Sequence, residues 1–180
     1  PVLMHTLEKF FSADPSLLLI LVLPKDDFEY WDSLCASHAF VLPHQLVAGG
    51  ESRFQSVKNG LMALPFQEGL VAIHDGVRPF VSEKVIQTSF EWAAEKGSAI
   101  PVVALKDSLR KVEISGESSF QDRTHFRLVQ TPQTFQLKPL LQAFAVEELA
   151  IFTDDATVYE HQGWEISLID GNPENIKLTT

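Results

Sequence analysis

Leu17-Leu18-Leu19-Ile20-Leu21-Val22-Leu23 is the stretch on which the fold turns. It is too short for a membrane helix, which needs about 20 apolar residues, and it has no polar face, so it predicts a buried strand. Directly after it, Phe28, Trp31, Leu34 and Cys35 recur at helical spacing within residues 26–40. That pairing is a strand-helix unit. A second follows, with a short extended segment at 45–48, a break at Gly49-Gly50, and a helix from about 52 whose apolar face carries Val57, Leu61 and Leu64. A third has its strand at 70–74, a turn through Pro79, and a helix over 82–96 with Ser82 as N-cap. Residues 99–105 form the next apolar strand. Strands and helices alternating at this interval predict an α/β fold, a doubly wound, mostly parallel sheet covered on both faces.

The rhythm fails over 106–126, where 109–114 alternates like an exposed strand and Ser115-Gly116-Glu117-Ser118 supplies a turn. This segment predicts a protruding β-hairpin arm, and an arm with little core of its own calls for a partner surface, so a homodimer through the arm is expected. Beyond it, 127–130 reads as extended, 137–149 and 155–162 as helical, and 166–169 and 176–178 as strands that close the sheet. Residues 2–11 read as a helix already under way, so further chain is expected before Pro1. Without an internal repeat, low-complexity segment or linker, residues 1–180 read as one domain.

Composition narrows the function. The 180 residues (20.1 kDa) are 45% hydrophobic and 21% charged, within ordinary globular usage, and no run is long enough for a membrane span. Fourteen Lys and Arg against 24 Asp and Glu give a formal net charge of −10, which excludes a nucleic-acid binder that relies on a basic surface. The single cysteine, Cys35, allows no internal disulfide and fits a cytoplasmic protein. Lys106, Arg110, Lys111, Arg123 and Arg127 cluster among Asp107, Glu113, Glu117 and Asp122, either as a mixed-charge solvated arm or as local cations for a small anion.

In doubly wound sheets ligands sit beyond the carboxyl ends of the strands, so the residues after each strand are the candidates. Gly49-Gly50-Glu51-Ser52-Arg53-Phe54-Gln55-Ser56 joins permissive glycines to a helix N-terminus with Arg53 and Ser56 on one turn, which is either an anion site or a plain turn and cap. In His74-Asp75-Gly76-Val77-Arg78-Pro79, Asp75 either holds a divalent ion between phosphates or caps a turn with Arg78 paired to it, and His74 is a packing or hydrogen-bonding residue. Asp122-Arg123, Gln130-Thr131-Pro132-Gln133 and Thr153-Asp154-Asp155-Ala156 are compact polar clusters, the last also suited to a helix start with Thr153 as cap. Lys177, alone in an apolar setting, is either a strand-edge lysine or a phosphate contact.

In order along the chain, these clusters resemble the signatures of 2-C-methyl-D-erythritol 4-phosphate cytidylyltransferases. The matching stretches are Gly-Gly-Glu-Ser-Arg-Phe-Gln-Ser-Val at 49–57, His-Asp-Gly-Val-Arg-Pro at 74–79, Gln-Thr-Pro-Gln-Thr-Phe at 130–135, Thr-Asp-Asp-Ala at 153–156 and Asn-Ile-Lys-Leu-Thr at 175–179. The resemblance implies a Rossmann-like nucleotidyltransferase that joins CTP to methylerythritol phosphate and releases pyrophosphate. It implies that Gly50, Glu51, Arg53, Ser56 and Gly76 surround the nucleotide and that Asp75 binds Mg2+ or another divalent cation on its phosphates. Lys177 would approach those phosphates, and Arg78, Ser108, Arg123, Thr131 and Thr153 would hold the methylerythritol phosphate, Arg123 reaching the second subunit's site. Asp75, Lys177 and Arg123 are the catalytic candidates. Ser108 stands where the family often has threonine, and Glu51 where an aspartate is frequent. The family begins with a strand and a glycine-rich loop bearing an arginine and a lysine, and nothing in residues 1–11 matches it. The alternatives are a ribitol 5-phosphate cytidylyltransferase and a non-catalytic nucleotide-binding dimer scaffold.

Overall fold

The apolar run forms a strand in its second half. In a computed structural model, which describes residues 1–179, β1 spans Ile20–Leu23 and pairs in parallel with β2, Gln45–Ala48, from Ile20 opposite Gln45 to Leu23 opposite Ala48. Ahead of β1, α1 covers Val2–Ala13 and buries Met4, Thr6, Leu7 and Phe10, the spacing of a one-sided helix. Between the two strands lies α2, Phe28–Ser37, whose buried Trp31 donates its indole N–H to His44 Nε2 at 2.8 Å. The next units are α3, Arg53–Met62, β3, Leu70–Ile73, α4, Glu83–Lys96, and β4, Ser98–Ala104. Ser82 caps α4 by accepting from Val85 N at 3.2 Å, and Gly97 ends it in the left-handed region at φ 93°. The strand-helix alternation therefore stands, as does the α/β class.

Sheet direction departs from simple alternation in one place. β7, Arg127–Val129, and β8, Gln133–Gln136, both run antiparallel to β4. Val102 lies opposite Val129 and Ala99 opposite Thr134, so the two segments form one bent strand with extra residues bulging at Gln130-Thr131-Pro132. β8 also pairs antiparallel with β3, Ile73 opposite Gln133, which places the bulge beside the carboxyl end of β3. β9, Leu168–Asp170, adds in parallel to β4. The sequence reading leaves 133–136 without a strand because its Gln and Thr look like loop residues. It also ends the sheet with a strand at 176–178. That segment is not a strand; a backbone bond from Leu178 N to Val77 O at 2.9 Å ties it to the turn after β3. Likewise α5 is shorter than the predicted 137–149, ending at Ala143 (Leu137–Ala143), and α6 is Asp155–Glu160.

Helices cover both faces. Val71 and Ile73 of β3 pack into a core with Phe54, Leu61, Ile100, Phe135, Leu140 and Tyr159, whereas Ala72 between them packs against the core of α1, β1, α2 and α4. That alternation is the period of a strand sandwiched between two layers. The arm is a hairpin of β5, Leu109–Val112, and β6, Ser118–Gln121, in the register Leu109 opposite Gln121. Its Val112, Ile114 and Phe120 are exposed. Among the described residues no helix is long and apolar enough to cross a membrane.

Phe135 is fully enclosed at the centre of the sheet and lies 5.1 Å from the Tyr159 ring. Phe135→Ala should cost about 3–5 kcal/mol in urea denaturation, the range for emptying an aromatic core site. A loss below about 1 kcal/mol would mean that this strand is not the centre of the core.

Candidate functional site

β3 ends at Ile73 and delivers His74 and Asp75 to the rim of the sheet beside the bulge. The Asp75 carboxylate is mostly buried, with Oδ2 3.1 Å from Arg78 Nε and 3.2 Å from Lys177 Nζ. Burial alone would raise this carboxyl, but the Lys177 ammonium and the Arg78 guanidinium outweigh it and hold Asp75 below the usual carboxylate range. Arg78 also donates from Nη1 to the Asn175 carbonyl at 2.7 Å. The lysine side chain is half-exposed, so its ammonium faces solvent as well as Asp75.

A directed hydrogen-bond chain fixes this turn. Because the Arg78 carbonyl can only accept, His74 Nε2–H donates to it at 3.0 Å, which leaves Nδ1 to accept from the Thr131 hydroxyl at 3.0 Å. Thr131 Oγ1 in turn accepts from Asp75 N–H at 3.1 Å. Burial pushes the His74 imidazole down to about 4, against the opposing effect of its bond to the Arg78 carbonyl, so the neutral tautomer that the chain requires persists at neutral pH. His74 also packs edge-on to Phe10, with centroids 4.8 Å apart. α1 closes the turn from above: Thr6 donates to the Gly76 carbonyl at 2.7 Å, and a Cβ on Gly76 would come within 2.8 Å of Leu3 Cδ1. Gly76 thus sits close under Leu3, whose side-chain end would have to shift to admit a Cβ.

The Gly49-Gly50 loop lies after β2. Its amides do not stand open for an anion: Gly50 N–H donates to Ser56 Oγ at 3.1 Å, Glu51 N–H to Gln55 Oε1 at 3.2 Å, and Gln55 N–H to the Ser52 cap at 3.0 Å. A Cβ on Gly50 would meet Gln55 Cβ at 2.4 Å, so only glycine fits beneath the helix start. What the loop presents outward is the exposed Glu51 side chain on a rigid backbone.

Arg53 points elsewhere. Its Nη1 and Nη2 grip Asp155 Oδ1 and Oδ2 at 2.8 and 2.5 Å in a two-pronged pair whose carboxylate is fully enclosed. Asp154, not Thr153, caps α6, accepting from Thr157 N–H at 2.9 Å, and Thr153 remains exposed. Gln133, on the bent strand, donates to Asp154 Oδ2 at 2.8 Å and accepts from Ala156 N–H at 2.9 Å, locking α6 to the sheet.

A single chain therefore gathers Asp75, Gly76, Arg78, Thr131 and Lys177. Gly50, Glu51 and Ser56 form a separate rigid loop on the rim, and Arg53 is committed to Asp155. Ser108 and Arg123 stay on the exposed arm. Arg123 Nη1 donates to the Lys106 carbonyl, and among the described residues no hydrogen bond or ion pair joins it to Asp75, Arg78 or Lys177. The sequence reading misses Asn175 and Gln133 as buried polar anchors, since an amide beside a strand carries no signal of burial. It also misses Thr6, which looks like one more helix residue.

Comparisons with known proteins give the family. The family model described as IspD, 2-C-methyl-D-erythritol 4-phosphate cytidylyltransferase, matches residues 1–180. The chain is similar to proteins named 2-C-methyl-D-erythritol 4-phosphate cytidylyltransferase from Bacteroides thetaiotaomicron and Phocaeicola vulgatus. It is 48% identical to each over 180 residues, all of this chain and 81% of theirs. Among solved structures, it resembles the 4-diphosphocytidyl-2C-methyl-D-erythritol synthase of Anaerococcus prevotii with a TM-score of 0.87 at 28% identity, covering 99% of this chain and 80% of that one. The cytidylyltransferase structure from Thermus thermophilus matches with a TM-score of 0.81 at 30% identity, covering 99% of this chain and 82% of that one.

Neutral His74 adds stability that is complete above its ordinary value of about 6.5 and is lost as pH falls through about 4. His74→Gln, which cannot titrate, should show a flatter decline between those pH values, by about 2–3 kcal/mol in denaturant titrations. Parallel declines for the two proteins would place the His74 imidazole in a solvated setting.

Proposed function

This chain belongs to the 2-C-methyl-D-erythritol 4-phosphate cytidylyltransferase family, and we propose that the cluster around Asp75 is where it transfers CMP from CTP to methylerythritol phosphate. The transfer gives 4-diphosphocytidyl-methylerythritol and pyrophosphate within isoprenoid synthesis. The observation that carries the site assignment is the Asp75 carboxylate held between Arg78 and Lys177 at the carboxyl end of β3.

An oxygen of the substrate phosphate attacks the α-phosphorus of CTP, a new P–O bond forms, and the bond to the bridging oxygen breaks with pyrophosphate as leaving group. Charge gathers on phosphate oxygens throughout, so positioning and electrostatics dominate and no protein nucleophile is needed. Lys177, half-exposed, presents a cation to those oxygens. Arg78 is turned inward by its bonds to Asp75 and Asn175, and supports the turn while leaving Lys177 outermost. The Gly50 loop, stiffened by Ser56 and Gln55, offers Glu51 to the cytidine. Thr131, whose proton goes to His74, has its remaining capacity for substrate as an acceptor.

The residues present fit a divalent cation. Asp75 is held ionised, its Oδ1 has no hydrogen bond among the described residues, and a single carboxylate completed by substrate phosphates is how Mg2+ is commonly bound. No group of three or more His, Cys, Asp or Glu among the described residues could hold a metal by protein ligands alone, which suits an ion that arrives with CTP. When bound, Mg2+ would neutralise charge on the phosphate oxygens.

The arm supports a homodimer. Val112 and Phe120 are 67% and 70% exposed on a two-stranded hairpin that cannot bury them itself, and Arg123 lies at its base without a tie to its own Asp75 cluster. A second copy that covers the hairpin would receive Arg123, and Ser108 beside it, in its own site.

The full-length protein given CTP, Mg2+ and methylerythritol phosphate should release pyrophosphate, with ribitol 5-phosphate clearly poorer; equal turnover of ribitol 5-phosphate would overturn the substrate assignment. Asp75→Asn and Arg123→Ala should each be nearly inactive alone. Free subunit exchange gives about half heterodimers, each with one intact shared site, so mixing should recover on the order of a quarter of wild-type sites. Heterodimers that form yet stay inactive would leave the arm with a purely structural role.

A further inference from the structure

We infer that Asn175 is a positioning residue for Lys177, acting through a buried amide latch made with Gln130; this rests on reading Lys177 as the phosphate-facing cation. Lys177 belongs to a segment after β9 that is not part of a helix or strand. A long, flexible side chain on an irregular segment would sample many positions, and ordering it costs entropy unless the backbone beneath it is fixed.

Asn175 supplies that fixation. It is fully enclosed, donates from Nδ2 to the Thr131 carbonyl at 2.8 Å, and offers its own carbonyl to Arg78 Nη1 at 2.7 Å and Gln130 Nε2 at 3.2 Å. Gln130 Nε2 also donates to the Asn172 carbonyl at 2.9 Å. On the far side of Lys177, Leu178 N–H reaches the Val77 carbonyl at 2.9 Å. The lysine backbone is thus clamped on both sides, to the bulge through Thr131 and to the Asp75 turn through Arg78 and Val77. Its ammonium lands 3.2 Å from Asp75 Oδ2.

The two amides have only one workable orientation. Each NH2 faces carbonyl oxygens, which cannot donate, so turning either amide over would set oxygen against oxygen. In that orientation Asn175 Oδ1 and Gln130 Oε1 are both buried without a partner. An unpaired buried acceptor is unfavourable, and the chain tolerates two of them to keep the donors. Gly171 completes the fit, since a Cβ there would stand 2.3 Å from Gln130 Oε1. Asn175 itself is shut off from substrate, so its effect on the reaction passes through Lys177.

A double-mutant cycle on the full-length protein separates this role from simple support of the fold. Lys177→Met should lower kcat/KM for CTP by roughly 100-fold, and Asn175→Ala by roughly 10-fold or more, with thermal melting used to confirm that each variant is folded. Once Lys177 is Met, adding Asn175→Ala should cost less than about 2-fold, because the group being positioned is gone. Asn175→Asp, which has no donor for the Thr131 carbonyl, should be at least as impaired as Asn175→Ala. If Asn175→Ala does not fold, Gln130→Met removes a donor to the backbone carbonyls of Asn175 and Asn172 and is read through the same cycle. Additive losses, or an Asn175→Ala variant with wild-type kcat/KM, would overturn the latch. Unchanged activity in Lys177→Met would instead sink the reading of Lys177, and the latch with it.

Discussion

A single carboxylate held between two cations organises the molecule. Asp75 alone at that depth would be driven toward its neutral form, and Arg78 and Lys177 alone would repel one another; together they leave a net charge of +1 at the rim of a chain whose total is −10. In water such a pair of contacts would be worth little, but the partly buried setting strengthens them and keeps Asp75 ionised. Local positive charge is what two phosphorylated substrates require, and the acidic remainder of the protein tells against nonspecific binding of nucleic acid.

The surrounding architecture serves to keep those three groups in register. β3 brings Asp75 to the rim, the bulge in the bent strand brings Thr131 to its amide, and the segment after β9 brings Lys177 from the other side. Between them runs a one-way chain from Asp75 N–H through Thr131 and His74 to the Arg78 carbonyl, in which every donor has one acceptor. Its direction depends on a neutral His74, and burial supplies that condition. Groups fixed before substrate arrives need little reorganisation during transfer, the condition under which electrostatic stabilisation is largest. The Gly50 loop follows the same logic, with its amides satisfied from within by Ser56 and Gln55.

Much of this was legible in the sequence for simple reasons. The apolar run and the helical spacings that follow it report burial periodicity directly, and Ser82 and the 115–118 turn are local chemistry. Asp75 and Lys177 stood out as charges at strand ends. The strand at 133–136 did not, because its Gln and Thr are buried by packing between β3 and β4, an environment that no local pattern reveals. Arg53 and Asp155 are 102 residues apart, and Arg53 reads as a nucleotide contact in sequence because only the fold joins it to that carboxylate. Asn175 was hidden for the same reason: its partners Thr131 and Arg78 come from distant segments.

Direct titration of the Asp75 carboxyl carbon by 13C NMR, in the wild type and in Lys177→Met, tests the central interaction. The expected result is a pKa below the ordinary carboxylate range in the wild type and a clear rise when the ammonium is removed. An ordinary value in the wild type, or one that does not move in Lys177→Met, would show that Lys177 does not hold Asp75 and that the charge centre described here is not formed.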